Sequence, residues 1–191
     1  MYNTSFFFRQ LPFRLVLVFC ILFVFNAHSQ SADELRIVLI RHGEKPKEGS
    51  GLSCKGINRA NLLPGVLNAK IGLPGIIYVP SVAGSDATKH NRMNQTIIPF
   101  VDKYHLQLNA DYKVGDVNAV TKNILRQKGT VLVVWEHNGL EDIAERLGVK
   151  EKLKWDDSDF DSIWLITFSK KGKARLQVDH EGLHPSGKCP A

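Results

Sequence analysis

The stretch LRIVLIRHGEKP, Leu35 to Pro46, decides how this chain is read. Leu35–Ile40 is dominated by branched apolar residues, the composition of a strand covered on both faces. It then stops abruptly on Arg41, His42, Gly43 and Glu44. Such an ending is either a polar turn or a strand end that holds an anion and presents a nucleophile.

Outward from this stretch, helix-like and strand-like segments alternate. SCKGINRANLLPGVLNAK places apolar residues at Ile57, Ala60, Leu63 and Leu67, a helical spacing, with Pro64 expected to kink or break it. Gly72–Pro80 reads as a turn and a short strand, and SVAGSDATKHN as a polar loop. Arg92–Leu106 reads as a helix interrupted near Pro99, and Asp116–Leu125 as another. A strand follows at Val131–Trp135, then a helix that Asn138 can start and Gly148 can stop. FDSIWLITF reads as a strand, KKGK as a tight turn, and ARLQV as an edge strand pairing back. The alternation predicts an α/β fold, a three-layer sandwich with a mostly parallel central sheet. Ligands of such sheets sit beyond the carboxyl ends of strands. His42 and His137 both occupy that position, each after a strongly apolar run.

The chain has 191 residues, 43% hydrophobic and 23% charged, which is globular composition. A net charge of +6, without a Lys/Arg run or a Cys-rich finger, argues against nucleic acid and fits an anionic small molecule better. The N-terminus stands apart. Arg9 and Arg14 precede eleven apolar residues, Leu15–Phe25, and the small and polar residues NAHSQSADE follow. This layout predicts a secretory signal peptide over residues 1–29, with an uncleaved membrane anchor as the alternative. Residues 30–191 are then a single domain of an exported protein, periplasmic or secreted. Cleavage lowers the charge to +4 and removes Cys20, leaving Cys54 and Cys189 where disulfides form. A bond between them would tie the tail to the first helix.

RHGE after a strand, RMNQT fifty positions later and the histidine of VLVVWEHNG together resemble the histidine phosphatase superfamily, the phosphoglycerate mutase-like group. Arg41, His42 and Gly43 match its signature triplet. Leu52, Ser53, Gly56 and Ala60 resemble the stretch that follows its first strand, Arg92 its second arginine, and His137 its second histidine. The resemblance implies a metal-independent phosphomonoester hydrolase that needs no cofactor. His42 would attack phosphorus, and Arg41, Arg92 and His137 would hold the phosphoryl oxygens. The chemistry agrees, because a neutral imidazole is a competent nucleophile and forked guanidinium donors suit equatorial oxygens. Glu44 and Lys45 are expected at the pocket rim.

The sequence departs from the family at the general acid. Mutase-like members carry a glutamate after the second arginine, where this chain offers Asp111 and Asp116; Asp116 is the preferred candidate, with helix capping as its competing role. Phytase-like members carry an aspartate after the second histidine, where this chain has Asn138. Two functions remain open: a hydrolase of an envelope or extracellular phosphorylated small molecule such as a phosphosugar, and a non-catalytic phosphate- or phosphosugar-binding protein that keeps the pocket.

Overall fold

The alternation of buried side chains along the first strand divides the core in two. In the computed structural model, which describes residues 34–82 and 87–190, β1 (Arg36–Arg41) lies inside the sheet. Ile37 and Leu39 join an apolar cluster on one face, and Val38 and Ile40 a second cluster on the other. A run buried on both faces needs cover on both faces, and helices provide it.

The remaining elements are α1 (Cys54–Ile71), β2 (Ile76–Tyr78), α2 (Ala87–Tyr104), β3 (Leu108–Asn109), α3 (Val117–Ile124), β4 (Thr130–Trp135), α4 (His137–Arg146), β5 (Ser162–Phe168) and β6 (Ala174–His180). The sheet order is β3-β2-β4-β1-β5-β6. The first four strands are parallel, and β5 and β6 extend the sheet antiparallel. α1 and α2 supply Leu63, Leu67, Met93, Ile97 and Phe100 to one cluster, and α3 and α4 supply Val120, Ile124, Leu140 and Ile143 to the other. This is the expected α/β sandwich. The expected signal peptide at residues 1–29 lies outside the described residues. Among the described residues no helix is long and apolar enough to cross a membrane.

Neither proline breaks its helix. α1 runs through Pro64 and α2 through Pro99. An interior proline costs about 3 kcal/mol. Leu63, Leu67 and Ile71 are buried along one face of α1, and each contributes about 1.5–3 kcal/mol of transfer free energy. Together they outweigh the lost hydrogen bond. α2 also begins at Ala87, inside the stretch expected to be loop.

A long C-terminal segment straps the sheet to α1. Cys54 and Cys189 are joined by a disulfide, with Cα atoms 4.5 Å apart. One turn along, Asn58 donates to the carbonyls of Ser186 (2.8 Å) and Lys188 (2.7 Å). Arg59 binds Glu181, and Lys70 meets Asp179 at 2.9 Å. The bonded cysteines are 135 residues apart in sequence. Closing so long a loop in the unfolded chain stabilises the fold by a few kcal/mol, with roughly 5 kcal/mol as the chain-entropy ceiling. Reduction, or Cys54→Ser with Cys189→Ser, is expected to lower unfolding stability by about 2–5 kcal/mol. Urea melts with and without reductant measure this, and coincident midpoints would show that the strap holds without the bond.

Candidate active site

The register of the two central strands sets the site. Arg41 pairs with Trp135, so β1 and β4 end level, and the His42 N–H donates to the Trp135 carbonyl at 3.2 Å. His42 and His137 therefore leave neighbouring strand ends at nearly the same height.

Two glycines let the loop after β1 press against α1. A Cβ on Gly43 would stand 3.1 Å from the Gly56 carbonyl oxygen, and a Cβ on Gly56 would stand 2.4 Å from the Glu44 carbonyl oxygen. Gly56 is therefore a packing requirement, whereas a side chain at Gly43 would need the facing backbone of Gly56 to give by a few tenths of an ångström. Ser53 closes the contact. Its N–H donates to the Glu44 carbonyl (2.8 Å), and its hydroxyl accepts the Gly56 N–H at the start of α1 (3.2 Å). Thr96 of α2 accepts the Gly43 N–H at 2.8 Å while donating to the Arg92 carbonyl.

His42 is fixed in one tautomer. Its Nδ1 lies 2.8 Å from the Gly43 carbonyl, which can only accept, so Nδ1 carries the proton and Nε2 keeps its lone pair. The residue is only 5% exposed. Burial lowers its pKa to about 4; the Gly43 carbonyl opposes this, and the charges of Arg41, Arg92 and Lys45 add to it. The imidazole is thus a neutral, oriented base among three cations.

Arg41 follows the strand alternation onto the Ile37/Leu39 face, where residues 156–160 wait. Its Nη1 donates to the carbonyls of Asp156 (3.2 Å), Asp157 (2.8 Å) and Asp159 (3.0 Å). Its guanidinium lies 4.1 Å from the centre of the Phe160 ring. Its Nε is buried without a partner. Burial lowers the Arg41 pKa, against the opposing charges of Asp157, Asp159, Asp156 and Glu136. The same segment reaches His137, whose Nε2 is 2.8 Å from the Asp157 carboxylate while its Nδ1 is buried and unpartnered. Arg92 is half-buried in the second turn of α2, not at its start, and its Nε donates to the Gly51 carbonyl at 3.0 Å. The structure thus joins Arg41 to His137 through Asp157, and sets the charges of Arg41 and Arg92 on His42.

Asp116 sits elsewhere. It occupies the N-cap position of α3 without a side-chain capping bond, and its carboxylate accepts the Lys113 N–H at 2.9 Å. Asp111 is engaged with Asn109. Glu44 is not at a rim. It is buried and receives two hydrogen bonds from Arg59, each 3.0 Å. Arg59 also binds Glu181 and reaches Asp161 at 3.4 Å. These carboxylates hold its guanidinium above the ordinary arginine value against the effect of burial. Trp135 is core: it is fully buried against Gly139 and donates to the Val114 carbonyl at 3.0 Å. Sequence reasoning missed Arg59 and the 156–160 segment. Four acids around an aromatic, DDSDFD, immediately before a strand were the available signal. Among the described residues no three His, Cys, Asp or Glu side chains converge as a metal site.

The low pKa of His42 carries a linkage effect. In the unfolded chain the imidazole takes up a proton at about 6.5, in the folded protein only at about 4. The unfolded state therefore binds more protons between these values. Stability from neutral His42 is fully present above pH 6.5 and is lost as pH falls towards 4. NMR titration of the His42 ring should give a midpoint near 4. His42→Asn should show a shallower loss of stability on acidification than the parent protein. A ring midpoint near 6.5 would mean that the imidazole is solvated.

No family model matches the chain, and no curated protein matches it by sequence. Solved structures do. The protein histidine phosphatase SixA complexed with tungstate superposes with a TM-score of 0.54 at 14% identity, covering 76% of this chain and 97% of its own. A phosphoglycerate mutase from Plasmodium falciparum gives 0.53 at 14% identity, covering 82% and 96%. A putative α-ribazole-5′-phosphate phosphatase from Escherichia coli K-12 gives 0.56 at 14% identity, covering 83% and 100%. The fold of this chain is the phosphoglycerate mutase-like α/β sandwich that these solved structures share.

Proposed function

We propose that this protein hydrolyses a phosphomonoester through a phosphohistidine formed on His42. The observation that carries the reading is the state of that imidazole: Nδ1–H held by the Gly43 carbonyl, Nε2 free, and neutrality preserved to about pH 4 beside Arg41 and Arg92. A site that only bound phosphate would gain from a cationic imidazole. Burial here does the opposite, as a nucleophile requires.

In the first step the Nε2 lone pair of His42 forms the N–P bond while the ester P–O bond breaks. In the second, water attacks phosphorus, and the N–P electron pair returns to Nε2. Arg92 and the unpartnered Nε edge of Arg41 supply charge to the phosphoryl oxygens, with His137 as a third donor. Positive charge from side chains serves the stabilising role that a metal fills elsewhere. The substrate we favour is a phosphorylated small molecule of the envelope or extracellular space, such as a phosphosugar. The apolar Leu15–Phe25 stretch supports export, to the periplasm or beyond the cell, and the Cys54–Cys189 bond fits an oxidising compartment.

Brief exposure to labelled phosphomonoester followed by alkaline quench should trap label that acid releases, as an N–P bond does. His42→Ala should lose both label and turnover. Label persisting in that variant, or the absence of any label in the parent protein, would leave phosphate binding without chemistry as the better reading. Arg92→Ala should lower kcat/KM by about 10²-fold or more, as removal of a pre-organised donor does. A change within about twofold would place Arg92 outside the site.

A further inference from the structure

The hydrolysis proposed above needs a proton for the leaving oxygen, and neither Asp111 nor Asp116 is turned to that task. The other acids near the site are mostly committed. Glu44 binds Arg59. Asp156 accepts from the N–H and hydroxyl of Ser158. Asp159 accepts the N–H groups of Asp161 and Ser162, and Asp161 those of Gly182 and Leu183. Asp157 alone in this segment turns its carboxylate to a candidate site residue, 2.8 Å from His137 Nε2.

We infer that Asp157 and His137 form a proton-transfer pair, and that the proton they share protonates the leaving oxygen. The inference rests on the phosphohistidine reading and on geometry. In-line displacement puts the leaving group on the side of phosphorus opposite the nucleophile. His42 is buried, so a leaving group opposite it lies towards the more exposed residues of the constellation. Asp157 is the exposed member of the constellation, its side chain 89% accessible. It is nevertheless held in place. Its carbonyl takes the Arg41 Nη1 donor, and the Trp155 indole, buried against Trp164, donates to the Asp159 carbonyl at 3.0 Å. The position is therefore solvent-accessible at the carboxylate and held at the backbone, which suits a group that must reach a leaving oxygen.

The steps balance. As the P–O ester bond breaks, its electron pair goes to the leaving oxygen, which takes the proton held between His137 Nε2 and Asp157. The product alcohol departs neutral and the pair is left one proton short. Attack of water on the phosphohistidine returns that proton to the pair, so the enzyme is regenerated with inorganic phosphate.

Asp157→Asn keeps the shape and the contact with His137 but carries no dissociable proton. Its kcat/KM on alkyl phosphates should fall by about 10²-fold or more, while aryl phosphates, whose leaving oxygens need little protonation, should stay within about threefold. The leaving-group dependence should therefore steepen. With an aryl phosphate the variant should also show a burst of one product per site followed by slow turnover, because water attack loses its base. Equal losses on both substrate classes would mark Asp157 as merely structural and overturn the proposal, as would an unchanged slope. Glu136, whose charge also bears on Arg41, is the control. If Glu136→Gln steepened the slope and Asp157→Asn did not, the assignment would move to Glu136. Acid-labile label on His42 in Asp157→Asn would uphold the phosphohistidine reading whichever way the slope falls, and its absence in the parent protein would remove that reading instead.

Discussion

A single buried guanidinium ties the candidate site to the rest of the molecule. Arg59 is almost fully enclosed and is shared by Glu44 from the loop after β1, Asp161 from the segment before β5 and Glu181 from the tail. A buried charge without partners costs several kcal/mol, so the closure of each of these four segments favours that of the others. Two bonds to the Glu44 carboxylate hold the backbone at Glu44, and the adjacent Gly43 carbonyl fixes the tautomer of His42. The chemistry proposed at Nε2 thus depends on an arginine whose guanidinium is already taken up by carboxylates of the protein. The arrangement carries a residual tension: burial, together with Glu44 and Asp161, keeps Glu181 above the usual carboxylate range even against Arg59.

Much of the fold was legible because its signals are local. A branched apolar run must be buried on both faces, and the alternation of such runs with helical spacing admits few layered architectures. The level ends of β1 and β4 are a matter of register, which only the structure gives. What failed was also local reasoning. Pro64 and Pro99 read as breaks because a proline's cost is visible in sequence, whereas the opposing burial of Leu63, Leu67, Ile97 and Phe100 is settled only by the sheet beneath.

At the candidate site, Arg41, His42, Arg92 and His137 were readable as candidates, since each stands at an element boundary or in a recognisable cluster. The residues they contact were not. Glu44 looks like a rim acid until its counter-ion is known, and that counter-ion is fifteen residues away. Asp157 belongs to an acid-rich segment that any reader would assign to solvent. Only the closure of β5 against β1 places it beside His137. Partner identity across the sheet is a property of tertiary structure, and a single sequence carries little of it.

The strap along α1 bears on how the molecule comes into being. A ribosome makes Arg59 long before it makes Glu181, and Cys54 long before Cys189. During synthesis the parallel strands and their helices can collapse while Arg59 still lacks its tail partner and Cys54 is an unpaired thiol. Such long-range closures are the slow ones, since loop entropy must be overcome before they are rewarded. The anchoring of Glu44 beneath His42 by Arg59 is therefore complete only once the tail that carries Glu181 has been made. Until Glu181 and Cys189 have been made, the set of carboxylates around Arg59 is incomplete and Cys54 lacks its partner sulfur.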